Sequence, residues 1–292
     1  MTQVKTIVLT GATGFVGKYL AEKYNAEGYT IIALIRNTSD TSVISNLKNV
    51  RLHIIDEHLE NVFQTNKITG VVHVATSYGN NSPASEILEA NLLFPMRLLE
   101  FAAKYNVDYF INTDSFFTKS AGEYSHLNTY TLSKTFFTTF FKTFSDRIKC
   151  VNLKLEHVYG LGDSLQKFVP MIIKRLYTNE EVIDLTEGLQ KRDFVYIKDV
   201  VEAYWKVTAT IDSLDAYTEF EVGTGNSVSI KEFVTAAKRL SNSKTILNFG
   251  AIPTRKGEFV ESKANNERLK EIGWVSAFDF ENGLSDLIGS IK

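Results

Sequence analysis

The chain has 292 residues, with 32 basic and 34 acidic side chains and a formal net charge of −2. This length suits one large or two modest α/β domains, and the balanced charge argues against a nucleic-acid or membrane-surface protein held by bulk charge. The single cysteine, Cys150, excludes a disulfide framework, and the five histidines lack metal-ligand spacing, so we expect no metal centre.

The first 25 residues do not resemble a secretion signal, because no basic segment is followed by a long apolar run. Nowhere does the sequence approach the roughly 20 consecutive apolar residues that a membrane-spanning helix needs. We therefore expect a cytoplasmic protein without membrane or nucleic-acid partners.

The first half of the chain alternates strand and helix patterns. Its strands are predicted as nearly continuous apolar runs at Val4–Thr10, Thr30–Ile35, Val50–Ile55, Gly70–Ala75, Asp108–Thr113 and Lys149–Leu155. Helical periodicity is predicted at Phe15–Glu27, at about Ala84–Tyr105 and from Thr129 to about Asp146. Alternation of helices with strands that are apolar on both faces predicts an α/β fold with a doubly wound parallel (Rossmann) sheet.

The second half is less regular. Helices are predicted at Gln166–Tyr177, Lys198–Ile211, Ile230–Ser241, Asn265–Ile272 and Glu281–Ile291, and short strands at Glu181–Asp184, Phe194–Tyr196, Glu219–Val222 and Thr245–Phe249. We predict a dinucleotide-binding domain over 1–160, with the chain returning to it near 190–215. Residues 161–292 are predicted to form mainly a smaller C-terminal α/β region that binds substrate.

A glycine-rich turn joins the first strand to the first helix, with the sequence T-G-A-T-G-F-V-G over Thr10–Gly17. Gly11 permits the tight turn, Gly14 lets a pyrophosphate approach the backbone, and Gly17 lets helix and strand pack closely. The helix N-terminus would supply N–H groups to the anion. Although the spacing is G-x-x-G-x-x-G, the context favours dinucleotide binding over a turn that merely needs glycines. The predicted cofactor contacts are Gly11, Thr13, Gly14, Phe15, Val16 and Gly17.

The end of the second strand indicates which dinucleotide is bound. An NAD enzyme usually has an acid here for the ribose hydroxyls, whereas this chain has Arg36 and no carboxylate until Asp40. A guanidinium would pair with a 2′-phosphate, so we predict NADP(H) as the cofactor. The alternative is a solvated surface arginine.

Tyr130 and Lys134 lie four positions apart on a predicted helix and therefore share one face. They follow the fifth strand, whose end carries Thr113 and Ser115. We predict that Tyr130 transfers a proton and that the Lys134 ammonium lowers its pKa by favouring phenolate. The hydroxyl of Thr113 or Ser115 would hold the substrate oxygen, and we assign Thr113 to catalysis and Ser115 to substrate binding. The alternative for the pair is an exposed helix face.

These features resemble the extended short-chain dehydrogenase/reductases, the NAD-dependent epimerase/dehydratase family. The resemblance covers nearly the whole chain and includes Glu156–Gly160, Lys191–Tyr196, Val222–Gly225 and Arg255–Glu258. It implies that Ala75 and Asn91 contact the cofactor and that Asp56 contacts its adenine. It also implies that Tyr130 and Lys134 contact the cofactor, with Lys134 at the nicotinamide ribose.

The resemblance further implies a nucleotide-sugar substrate. Arg192 and Arg255 would grip its diphosphate, a role that suits guanidinium groups, although surface salt bridges are the alternative. Lys167 and Phe168 would line the nucleotide path. His157, which replaces the usual asparagine of the family, is assigned to the substrate as well.

The end of the fifth strand also bears on the reaction. Dehydratases of the family carry Thr-Asp-Glu there, whereas this chain has Thr113-Asp114-Ser115. The runs Ile111–Phe117 and Asn128–Lys134 look most like the CDP-abequose and CDP-paratose synthases, which reduce the 4-keto group of a CDP-linked dideoxy sugar with NADPH. We rank such a 4-ketoreductase first, a 4-epimerase with tightly held NAD second, and a non-catalytic cofactor-sensing protein third.

Five phenylalanines follow Lys134 on the same predicted helix. They allow two interpretations, packing against the sheet or a helical interface of a homodimer. They are Phe136, Phe137, Phe140, Phe141 and Phe144.

Overall fold

The computed structural model describes residues 5–79, 82–120, 127–255 and 257–291; Val4, predicted to begin the first strand, lies outside them. The chain forms two compact units. One comprises Met1–Lys154 and Tyr204–Phe220, and the other Leu155–Ala203 and Glu221–Lys292. The sequence pattern predicts a domain boundary at 160 and a return of the chain to the first domain near 190–215.

The elements alternate along the first half much as the sequence predicts. The strands are β1 (Thr6–Thr10), β2 (Thr30–Ile35), β3 (Val50–Ile54), β4 (Gly70–His73), β5 (Tyr109–Ser115), β6 (Lys149–Leu155), β7 (His157–Tyr159), β8 (Val182–Leu185), β9 (Lys191–Arg192), β10 (Phe194–Tyr196), β11 (Tyr217–Val222), β12 (Val228–Ser229), β13 (Ile246–Phe249) and β14 (Glu261–Ser262). The helices are α1 (Phe15–Ala26), α2 (Glu60–Thr65), α3 (Ala84–Leu88), α4 (Phe94–Lys104), α5 (Asn128–Thr143), α6 (Phe168–Tyr177), α7 (Ile197–Ala209), α8 (Ile230–Ser241), α9 (Glu267–Glu271) and α10 (Phe280–Ile291). The helix predicted over 84–105 is divided into α3 and α4 by a π-helical segment, Glu89–Leu93.

A seven-stranded parallel sheet forms the centre of the first unit, in the order β11-β6-β5-β4-β1-β2-β3. The chain builds outward from β1 to β3 and then returns to place β4 on the other side of β1. This reversal creates a switch point between β1 and β4, where open α/β sheets bind ligands at the carboxyl ends of their strands. The predicted doubly wound α/β fold is confirmed.

One face of this sheet is covered by α4 and α5. Phe110 of β5 packs with Phe137 and Phe141 of α5, which are at most 1 % exposed, and Phe144 joins them at the edge. Phe136 and Phe140 are each 49 % exposed. Phe137, Phe141 and Phe144 therefore belong to the core, whereas helical spacing places Phe136 and Phe140 at the surface.

The second unit contains three small sheets: β7 with β10, β12-β9-β14, and β8 with β13. At its centre lies Asp193, whose carboxylate is completely buried. It accepts hydrogen bonds from the backbone N–H groups of Thr224 (2.9 Å), Gly225 (2.9 Å) and Ala264 (3.1 Å). Asp193 thereby holds two distant loops in place. In the described part of the chain, the helices are all too short or too polar to cross a membrane.

Candidate active site

The glycine-rich turn lies at the switch point and is tightly packed on two sides. Gly11 has a φ of +67°, and a Cβ there would lie 2.8 Å from the Ala75 nitrogen. A Cβ on Gly17 would lie 1.9 Å from the Gly11 carbonyl oxygen. Gly14, by contrast, is exposed and caps α1 without a side chain, and the first turn of α1 carries no acid. The turn therefore fits the pyrophosphate of a dinucleotide, because positive helix-terminal dipoles are left without a competing anion.

Thr10 fixes the end of β4 beside this turn. Its hydroxyl oxygen accepts hydrogen bonds from the backbone N–H groups of Val74 and Ala75, each at 3.0 Å. With two bonds accepted, the hydroxyl donates its own hydrogen to Nδ1 of His73, 2.9 Å away. Burial and the Lys134 charge hold the pKa of His73 well below its ordinary value, so this imidazole is neutral. Ala75 thus lies next to the glycine turn, and its contact with the cofactor remains a prediction.

Asn91, a predicted cofactor contact, lies in the core beside the end of β4. Its amide is 1 % exposed and makes four hydrogen bonds inside the protein. The oxygen accepts from the Thr76 hydroxyl (3.2 Å) and the Ser77 nitrogen (2.8 Å), and the nitrogen donates to the Ser77 carbonyl (2.8 Å) and the Ser133 hydroxyl (3.1 Å). This uses all its bonding capacity. Asn91 therefore positions the segment after β4 against α5, and its contact with the cofactor remains a prediction.

Tyr130 lies in the first turn of α5 and is 3 % exposed. Its hydroxyl forms hydrogen bonds with the hydroxyls of Ser115 and Thr76, which lower its pKa, but burial dominates and raises the pKa well above the ordinary value. The Tyr78 ring stacks on it at 4.8 Å. Tyr130 is therefore protonated at neutral pH. The prediction that Lys134 lowers this pKa towards neutrality is wrong for the arrangement in the structure.

Lys134 lies one turn further along α5 and is 2 % exposed. Its ammonium donates to the Thr113 carbonyl at 2.9 Å. Burial lowers the pKa of Lys134 to about 8, opposed by the carboxylate of Asp114. The side chain is thus held at the end of β5, with its charge close to its titration point.

The Thr113 hydroxyl, whose catalytic role remains a prediction, forms two hydrogen bonds. It donates to the His73 carbonyl (2.7 Å) and pairs with the Tyr204 hydroxyl (2.6 Å), so it is committed to the core. Ser115 supplies the hydroxyl that reaches Tyr130. Thr76 was missed by sequence reasoning; a hydroxyl just beyond the end of β4 was the available signal.

Arg36 and Asp56 follow the adjacent strands β2 and β3 and are exposed. The Arg36 backbone closes a turn with Ser39, and among the described residues its guanidinium has no ion-pair partner. Asp56 accepts a hydrogen bond from the His58 nitrogen at 2.9 Å. Both remain predicted cofactor contacts. The guanidinium of Arg36 is exposed and could bind a phosphate group.

Arg192, predicted to grip the diphosphate, is buried in the second unit. Its side chain is 4 % exposed, and it donates to the carbonyls of Lys191 and Phe259, each at 2.8 Å, and to the carboxylate of Glu258. These bonds fasten β9 to the segment before β14. The guanidinium is therefore already paired inside the second unit, and its contact with a diphosphate remains a prediction.

The other predicted substrate residues of the second unit are more accessible. Arg255 is exposed, and Lys167 pairs with Asp163 at 2.9 Å just before Phe168 begins α6. His157 on β7 packs against Phe194, and burial lowers its pKa, so it is neutral at neutral pH. Their contacts with substrate remain predictions.

A glycine turn at the switch point of a doubly wound sheet and a buried Tyr–Lys pair after β5 define an extended short-chain dehydrogenase/reductase. Residues 7–223 match the family model "NAD dependent epimerase/dehydratase family". The chain belongs to this family.

Two relatives and one solved structure show which members of the family this chain is similar to. The chain is 36% identical to CDP-abequose synthase of Salmonella typhimurium and 39% identical to that of Salmonella muenchen, each alignment covering 97% of both chains. Its fold is similar to that of UDP-glucose 4-epimerase from Thermotoga maritima, solved with UDP-glucose. That match has a TM-score of 0.83 and 21% identity, and covers 98% of both chains.

Proposed function

We propose that the protein is an NADPH-dependent reductase of the 4-keto group of a nucleotide-linked deoxy sugar, with a CDP-sugar favoured. The observation that carries the proposal is the protonated, buried Tyr130 hydroxyl between Ser115 and Thr76. Similarity to CDP-abequose synthases over nearly the whole chain supports the substrate class.

The residues of the first unit would hold the cofactor. The turn from Gly11 to Gly17 fits the pyrophosphate, Arg36 would take the 2′-phosphate, and Lys134 would bind the nicotinamide ribose. When bound, the reduced cofactor supplies a hydride to the keto carbon of the sugar.

Tyr130 completes the reduction by giving its proton to the sugar oxygen. As negative charge develops there, the Ser115 hydroxyl that contacts Tyr130 would donate a hydrogen bond to the same oxygen, whereas the Thr76 hydroxyl donates to Asn91 and contacts Tyr130 as an acceptor. A high pKa suits this direction, because Tyr130 must carry its proton when the reaction begins. The keto group gains one hydride and one proton and becomes a hydroxyl group.

The residues of the second unit would bind the nucleotide. Lys167 and Phe168 at the start of α6, His157 on β7 and the exposed Arg255 are the proposed contacts. Arg255 is the guanidinium available for the diphosphate.

Incubation of the purified protein with NADPH and a panel of CDP-, UDP-, dTDP- and GDP-linked 4-ketosugars tests the function. We expect NADPH consumption equal to product formed, greatest with the CDP-sugar, and a new C4 hydroxyl in the NMR spectrum of the product. Interconversion of two 4-hydroxy sugars without net cofactor consumption would instead establish a 4-epimerase.

Arg36→Ala tests the proposed choice of cofactor. Because a hydrogen bond to a charged group contributes about 1.5–3 kcal/mol, the KM for NADPH should rise about 10- to 150-fold. The KM for NADH should be unchanged, since NADH has no 2′-phosphate. Arg51→Ala, an exposed arginine on β3, is the matched control and should leave both values unchanged. Equal losses for both cofactors with Arg36→Ala would contradict the assignment.

A further inference from the structure

The segment that follows β4 contacts the proposed proton donor, Tyr130, at two points. The Thr76 hydroxyl contacts the Tyr130 hydroxyl, and two residues later the Tyr78 ring stacks on the Tyr130 ring. The two ring centres are 4.8 Å apart, and the ring planes are inclined by 28°. Tyr78 therefore lies in direct contact with the residue that would protonate the sugar.

Hydrogen bonds tie this segment to the helix that carries Tyr130. The Asn91 side chain accepts a hydrogen bond from the Ser77 nitrogen and donates one to the Ser77 carbonyl, each at 2.8 Å. The Asn91 nitrogen also donates to the Ser133 hydroxyl at 3.1 Å, and that hydroxyl donates to the Tyr130 carbonyl at 2.7 Å. The backbone next to Tyr78 is thus linked through Asn91 to the first turn of α5, which fixes the two rings relative to each other.

The accessible surface of the stacked pair belongs mainly to Tyr78. Tyr78 is 38 % exposed, whereas Tyr130 is 3 % exposed. Phe117 places a further ring at the edge of Tyr130, with the ring centres 6.2 Å apart and the planes at 89°. A sugar whose oxygen reaches the Tyr130 hydroxyl must therefore lie beside aromatic rings, and Tyr78 is the exposed one in contact with Tyr130.

The chemistry of a pyranose decides which sugar position an aromatic wall can select. The keto carbon, C4, has the ring neighbours C3 and C5, and C5 is already bonded to the ring oxygen, to C6 and to a hydrogen. C3 is therefore the neighbour that can carry a hydroxyl group. A hydroxyl group pressed against an aromatic face gives up water without gaining an equal hydrogen bond, whereas a methylene group packs there without that cost.

We propose that Tyr78 is a specificity-determining residue, whose ring favours nucleotide-linked 4-ketosugars with a methylene group at C3 over those with a C3 hydroxyl group. The inference rests on the proposed reduction at Tyr130. It deepens that proposal by naming the sugar position that is read and the side chain that reads it. Tyr78 acts by contact with the sugar and takes no part in the proton transfer.

Two CDP-linked 4-ketosugars that differ only at C3 test the proposal. In the unmodified protein, kcat/KM should favour the 3-deoxy sugar about 10- to 100-fold, the range in which an apolar wall rejects an added hydroxyl group. Tyr78→Asn replaces the ring with an amide that can bond to the hydroxyl group, so this ratio should fall at least about fivefold. Tyr78→Phe keeps the ring and should keep the ratio.

Tyr105→Asn is the matched control for Tyr78→Asn. Tyr105 is a part-buried tyrosine of the same unit, and its hydroxyl donates to Glu60 on α2. The substitution should leave the ratio of the two kcat/KM values unchanged. The Kd for NADPH should also be unchanged in Tyr78→Asn, because the ring is proposed to contact the sugar and not the cofactor.

Four results would overturn the proposal. They are a ratio near one in the unmodified protein, an unchanged ratio in Tyr78→Asn, a ratio lost in Tyr78→Phe, and a loss of NADPH affinity in Tyr78→Asn that accounts for the whole effect. Thermal unfolding shows whether each variant is folded. Should Tyr78→Asn fail to fold, Tyr78→Gln carries the same test, and the ratio in the unmodified protein is decisive by itself.

Binding separates this proposal from the proposed function. Calorimetry with the two corresponding 4-hydroxy CDP-sugars, in the presence of NADP⁺, needs no turnover. The 3-deoxy sugar should bind about tenfold or more tightly to the unmodified protein, and Tyr78→Asn should abolish the difference. Turnover of neither ketosugar with this difference intact would reject the reductase and retain the role of Tyr78. Turnover of both ketosugars without preference would reject the role of Tyr78 and retain the reductase.

Discussion

Tyr130→Phe should lower kcat about 10²- to 10⁴-fold and leave NADPH affinity nearly unchanged. The substitution removes the proton that the sugar oxygen must receive, and a placed proton donor accounts for an effect of that size. The ring remains, so its stacking with Tyr78 at 4.8 Å is preserved. Steady-state kinetics and titration of NADPH by fluorescence measure the two quantities separately.

Tyr105→Phe provides the control for this substitution. Its hydroxyl donates to Glu60 at 3.0 Å, on α2, so the same atom is lost from the same unit without touching Tyr130. We expect kcat to stay within about twofold of the original, since this hydroxyl contacts α2 and not Tyr130. A fully active Tyr130→Phe would reject both the reductase and the epimerase interpretations.

Lys134→Met should impair both catalysis and cofactor binding. Loss of a charged hydrogen bond to the nicotinamide ribose should weaken NADPH binding about 10- to 150-fold, and kcat should fall as well. Because the substitution also removes the hydrogen bond to the Thr113 carbonyl, the thermal unfolding midpoint is measured alongside to show that the variant is folded. Calorimetry with NADPH and thermal unfolding give these two values.

Lys104→Met is the matched control for Lys134→Met. Its ammonium is exposed and pairs with Glu60 at 2.6 Å, so kinetics and NADPH affinity should be unchanged. Intact NADPH binding in Lys134→Met would show that this lysine does not hold the cofactor.

The sheet was predictable because its signals are local. Strands such as β1 and β2 are apolar on both faces, and the glycine spacing after β1 identifies the turn without reference to distant residues. Short elements such as α2, six residues long, were missed because they are too short to show helical periodicity. The π-helical segment before α4 was missed for a related reason, since its residues continue the helical pattern on either side.

The site was predictable to the level of elements but not of every side chain. Thr113 and Ser115 carry equivalent hydroxyls on β5, and the choice between them depends on Tyr204, which is 91 residues from Thr113. Likewise, Arg192 is occupied by Glu258, 66 positions later. Polarity in the sequence shows that these groups can form hydrogen bonds, but only tertiary packing selects their partners.

The hydrogen bonds that Asp193 accepts in the second unit affect the order in which the chain can fold on the ribosome. The Asp193 carboxylate is buried by partners that include the Ala264 nitrogen, 71 residues later. At 5–20 residues per second, that separation corresponds to about 4–14 s of synthesis. The first unit, whose sequence ends at Phe220, can close earlier. During this interval water solvates the Asp193 carboxylate, and its burial in the second unit must wait until the segment that carries Ala264 has been synthesised.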